Sequence, residues 1–199
     1  MMINIPEETT DTFEDIYTQI NIQKQTFEST SKSGTKPMPM VVFYIDSSSP
    51  YLSVVSPYGT TFEDTVKNIT TALHLYSSID ASGCYVTLSS QYIIDDLTYP
   101  ALNIFVMNRK NAYTITLPYK EEDNNFTWFD DHSIISQIDD QDLDELGRNI
   151  ISSFYLFVNS DGLPFKTEEI LSYMSTQGHQ VMFHDESSVP KYLSISDPF

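Results

Sequence analysis

The 199-residue sequence predicts an α+β fold: a single, mostly antiparallel sheet of about five strands with helices packed on it. Three observations predict it. Apolar stripes at helical spacing alternate with short β-branched and aromatic runs. Successive strand-like runs are joined by gaps of turn length, which favours antiparallel neighbours over crossover connections. Hydrophobic residues make up 40% of the chain and aromatics 13%, enough for a substantial core. A compact chain of this length buries roughly 70% of its unfolded surface, so no disulfide or metal staple is required.

The elements follow in order. Phe13, Ile16, Tyr17 and Ile20 recur at i, i+3, i+4 and i+7, which predicts a helix over 12–29 extended by Phe27. Thr12-Phe-Glu-Asp15 resembles a capping box at its start. The polar stretch 29–39, rich in Ser, Gly and Pro, ends it. The continuously apolar run 40–46 predicts a central strand, with 51–56 as its antiparallel partner across a Ser-Pro turn. Phe62, Val66, Ile69, Leu73 and Tyr76 predict a helix over 62–79, opened by a second Thr-Phe-Glu-Asp at 61–64. A strand over 84–90 follows, then a loop around 95–100. Runs 102–107 and 112–117 form a hairpin across Asn108-Arg-Lys-Asn111. Leu143, Leu146, Ile150 and Phe154 predict a helix over 142–157. Ile170, Leu171 and Met174 predict another over 167–177, stopped by Gly178. Residues 179–184 suggest a last strand. The helical stripes are expected to cover a single face of the sheet.

The first eight elements, α-β-β-α-β-β-β-α, resemble in order the roadblock- and profilin-like scaffolds, in which a five-stranded sheet carries helices. The resemblance lies in element order and brings no motif residue with it, so it bears on fold alone. The chain reads as one domain over 1–199. Within it, 1–30 is an N-terminal helix, 40–158 the α+β core, and 159–199 a helical extension with a loose tail.

Ten Lys and Arg against 28 Asp and Glu give a net charge of −18. That charge repels phosphate backbones and anionic lipid, and so disfavours direct binding to nucleic acid or to a membrane surface. The partner expected instead is a protein with a basic surface. The single cysteine, Cys84, excludes an internal disulfide and sits in a strand-like run, where a buried thiol is inert. The N-terminus has no basic and apolar leader, and no run approaches the ~20 apolar residues of a membrane span, so the expected location is the cytoplasm.

The sequence carries no motif with a chemical signature. Gly-x-Ser-x-Gly and the phosphate-cradling glycine loop are both absent, no cofactor is called for, and the reading leans away from an enzyme. Ten Asp or Glu and no Lys or Arg lie between Glu121 and Glu145, interrupted by Phe126, Trp128 and Phe129. With Asp130, Asp131, Asp139 and Asp140, these aromatics are the candidate protein-contact residues: apolar anchors ringed by charge. For Trp128 the preferred expectation is that it folds back as a lid over the open sheet face. The metal candidates are His132, His179, His184 and Asp185. An odd separation puts His179 and His184 on opposite sides of a strand. The leading expectation is a non-catalytic interaction or regulatory module, in keeping with a small accessory protein of viral or mobile-element origin. The alternatives are a metal-dependent hydrolase built on those His and Asp residues, and an acidic mimic of nucleic acid that blocks a basic groove.

Overall fold

The structure is a computed structural model and describes residues 16–45, 50–123, 125–137, 145–159 and 166–184. Its elements are α1 (Ile16–Lys32), β1 (Met40–Tyr44), β2 (Pro50–Val55), α2 (Phe62–Leu73), α3 (Leu75–Ser78), β3 (Gly83–Ile94), β4 (Leu97–Asn108) and β5 (Ala112–Glu122). There follow β6 (Asn125–Trp128), a 3₁₀ turn (Asp130–His132), β7 (Ile134–Gln137), α4 (Glu145–Asn159), α5 (Thr167–Thr176) and β8 (Gln180–Phe183). The fold is α+β with one antiparallel sheet, in the order β6-β5-β4-β3-β1-β2-β8. The short β7 shares the outer edge of β5, opposite Tyr113–Thr116.

The seven strands along this path exceed the five or so expected. Two short ones account for the difference: β6, which was not expected, and β8, which falls within the last strand suggested at 179–184. β6 lies inside the ten-acid run, where charge hides a four-residue strand. β8 follows α5 and pairs with β2 from Leu52↔Phe183 to Val55↔Gln180, which brings the C-terminal helical segment into the same sheet. The helix predicted over 62–79 is two, meeting at His74, whose N–H turns back to the Thr71 carbonyl (3.3 Å).

The helices cover both faces of the sheet, which corrects the single covered face expected from their stripes. On one face, Ile69, Leu73, Tyr76, Ile150, Phe154, Ile170 and Met174 from α2–α5 bury Val41, Phe43, Leu52, Val54, Val86 and Phe105. On the other, Ile20 and Phe27 of α1 cover Val42, Tyr44, Tyr85, Leu102, Ile104 and Val106. Two buried faces explain why β1 and the 104–107 stretch of β4 are continuously apolar where a half-exposed strand would alternate.

The second Thr-Phe-Glu-Asp is a true capping box. Asp64 N–H donates to Thr61 Oγ1 (3.1 Å), and Thr61 N–H donates to the Asp64 carboxylate (3.3 Å). A hydrogen bond from Thr60 Oγ1 (2.7 Å), followed by those from Thr61, holds the Asp64 carboxyl below its ordinary range. The first copy, at 12–15, lies outside the described residues. Gly59 lets the chain pass against this helix start, since a Cβ there would collide with Asp64 Cβ and the backbone beside it.

Candidate functional site

Two β-ribbons diverge at one end of the sheet. β4 and β5 pair from Met107↔Ala112 to Ala101↔Pro118 and then part. Beyond that point β5 turns to β6, pairing Tyr119↔Trp128 through Glu122↔Asn125, while β4 stays with β3 out to Ile94↔Leu97. Pro118, which has no N–H to offer a ladder, stands where the two separate.

The β5–β6 ribbon carries most of the predicted contact residues. Phe126 and Trp128 are half-buried and packed around Phe27 of α1, with ring centroids 6.0 and 6.3 Å away, and against Tyr119 at 5.3 and 5.1 Å. Trp128 Nε1–H donates to Glu28 Oε1 (2.7 Å). Lys24 Nζ lies 5.0 Å from the centre of the indole ring and donates to Asp130 Oδ1 (2.6 Å). Burial, with Glu121 nearby, pushes the Tyr119 hydroxyl up to about 12. Phe129 is half-buried against Tyr99 (5.0 Å), and Asp131 and His132 are exposed. The geometry thus ties Phe126, Trp128 and Asp130 to α1. Asp139 and Asp140 lie outside the described residues.

The β3–β4 ribbon projects further, and the sequence reading missed it. The stretch expected to be a loop around 95–100 is a two-residue hairpin turn, with Asp95 and Asp96 at φ +48° and +64°. Both central residues of a type I′ turn need positive φ, which Asp tolerates better than most side chains. A hairpin signal was present in Ile-Ile-Asp-Asp-Leu-Thr, but the usual Asn-Gly or Asp-Gly was not. The ribbon leaves Ile93 66% and Leu97 59% exposed beside the two turn carboxylates. At the neighbouring tip stand the exposed Glu121, Glu122 and Asp123, with Lys120 held to Glu122 (2.6 Å). Both ribbon tips are acidic, and the β3–β4 tip also bares two aliphatic side chains beside its turn carboxylates.

The histidines are dispersed. His132 is beyond β6, at the opposite edge of the sheet from β8. His179 and His184 flank β8 on opposite faces. His179 is 1% exposed with both ring nitrogens unpartnered, and burial lowers its pKa. His184 Nε2 lies 2.6 Å from Ser53 Oγ on the α1 face. Asp185 lies outside the described residues. Among the described residues no three His, Cys, Asp or Glu side chains converge as metal ligands would. Cys84 is fully buried, and burial pushes its thiol pKa far up. No described helix is long and apolar enough to cross a membrane. The chain matches no protein-family model, no curated protein and no solved structure.

Proposed function

We propose that this chain is a non-catalytic protein-interaction module that engages a partner with a basic surface. One observation carries the reading: exposed Ile93 and Leu97, on opposite faces of the β3–β4 ribbon, flank the Asp95–Asp96 turn, while Glu121, Glu122 and Asp123 stand exposed at the tip of the other ribbon. Protein contacts are built from desolvated apolar anchors inside a polar rim, and projecting aliphatic side chains are suited to the first role. The carboxylates supply the second and steer a cationic partner during encounter. A net charge of −18 extends that field over the whole surface. Asp131, exposed beyond β6, adds to it.

The test compares affinity captures by the tagged full chain and its variants. Ile93→Ser with Leu97→Ser removes the anchors from exposed positions, and Asp95→Asn with Asp96→Asn removes charge while keeping a residue that tolerates positive φ. Partner recovery is expected to fall at least about tenfold with the first pair, equivalent to about 1.4 kcal/mol. It should fall with added salt for the unaltered chain. Neutralising Asp130, Asp131, Asp139 and Asp140 together measures the share of the longer acidic segment, with circular dichroism confirming the fold. Identical recovery by all variants would overturn the proposal.

A further inference from the structure

Among the described residues, no strand lies beside the edge of β3 beyond residue 87. β1 pairs with β3 from Tyr44↔Gly83 only as far as Met40↔Thr87, whereas β3 runs on to Ile94. The chain leading into β1 does not fill the gap. Ser56 N–H donates to the Pro39 carbonyl (2.8 Å) and Tyr58 Oη–H to the Pro37 carbonyl (2.9 Å), so that segment stays on the β2 side. The same Ser56–Pro39 bond sets the phase of the ladder, turning the N–H and C=O of alternate β3 residues Ser89, Gln91 and Ile93 toward the open edge. Pro100 agrees with this phase: it faces Gln91 and has no N–H to give it.

Natural sheets protect such edges with charge, proline or a bulge. The β4 side of this ribbon has Pro100, while Leu88-Ser-Ser-Gln-Tyr-Ile-Ile94 has none of these. At the foot of the edge, on the α1 face, a cavity of about 220 Å³ opens among Phe27, Met38, Met40, Thr87 and Leu102. A strand laid along β3 would place the residue opposite Ser89 on that face, beside Met40 and Thr87.

We infer that β3 accepts an extended segment of a partner protein, which adds a strand along 88–94, sets an apolar side chain in this cavity and places basic residues near Asp95 and Asp96. Strand addition takes its affinity from main-chain hydrogen bonds and its specificity from pockets for alternate side chains. Charge selects the occupant. A second copy of this chain also carries −18, and the two would repel. The inference rests on the interaction reading above and names the mode of contact.

The test uses the full chain and a fluorescein-labelled peptide, Lys-Val-Lys-Val-Lys-Val-Lys, followed by fluorescence anisotropy. The analogue with Glu in place of each Lys is the control and is expected to bind at least about tenfold more weakly. Gln91→Pro removes an edge N–H that the β3–β4 ladder does not use and should weaken the lysine peptide by about tenfold, with Ile93→Lys acting in the same direction. Hydrogen exchange on the unaltered chain provides a readout independent of any variant: the amides of Ser89, Gln91 and Ile93 should slow when the peptide binds. Unchanged exchange at these three amides, or full binding by Gln91→Pro, would overturn strand addition. So would a dimer in sedimentation equilibrium that Gln91→Pro dissolves, because the occupant would then be a second copy. If peptide binding follows Asp95 and Asp96 but not Gln91, strand addition fails while the interaction module stands.

Discussion

The polar tip of the indole decides how Trp128 is used. Its N–H is satisfied by Glu28, its face by Lys24, and Phe27 packs against it in a T-shaped pair, so the ring is held as part of the α1 contact. Trp128 is also the chain's only tryptophan, which makes its emission a direct report on that contact. His179 presents the opposite case, a buried ring whose two nitrogens have no partner. Burial disfavours its cation, and the same cause lowers the pKa of His74. Below about pH 6.5 the unfolded chain takes up protons that the folded chain resists, so stability falls as pH falls. The slope is bounded by about 1.4 kcal/mol per pH unit for each proton. Urea melts between about pH 7.5 and 5 should show the loss, and His179→Leu should reduce it. An unaltered slope in that variant would place the proton uptake elsewhere.

Among the elements, α1 is the one whose placement was hardest to foresee. Its stripe was legible, and Ile20 and Phe27 do face inward, but a stripe states only that one side is buried and not against which face of the sheet. Phe27 touches Tyr119, Phe126 and Trp128, so it joins the helix to the β5–β6 ribbon. Phe27→Ala should cost about 3 kcal/mol by the usual scale for buried aromatics. Trp128 emission should shift to the red at lower urea than the loss of far-ultraviolet ellipticity, because helix and ribbon separate before the sheet melts. Coincident transitions would mean that α1 is no looser than the core. The ribbons themselves were half legible. The hairpin across 108–111 was read from its loop length, whereas the turn at Asp95–Asp96 was concealed by its carboxylates and by Pro100. β6 was concealed by the acids around it.

For the molecule as a whole, the excess of carboxylates is a repulsion that folding must overcome. Among the described residues few cations offset it: Lys24, Lys32, Arg109 and Lys120 each hold one carboxylate. Exposed pairs such as Arg109–Asp80 and Lys120–Glu122 contribute little individually, so the long-range term dominates. Raising ionic strength from about 0.01 M to about 0.15 M shortens the screening length from about 30 Å to about 8 Å. The thermal midpoint should therefore rise with added sodium chloride. A midpoint that falls would mean that local ion pairs outweigh the net repulsion. The same field favours a cationic partner and works against self-association, which is why the proposed occupant of the β3 edge is a basic segment.

By itself the sequence determined the α+β class, the antiparallel pairing, the helical stripes and the acidity, because each is a local pattern or a sum over residues. It also located the aromatic–acidic segment without revealing which aromatics would be covered. Tertiary structure alone decided that α1 takes the second face, that β8 joins β2, and that β3 and β4 outrun their described neighbours to leave Ile93, Leu97 and an edge unpaired among the described residues. These outcomes depend on which strand ends first and what lies beside it. Such relations join residues far apart in the chain, and no local period records them.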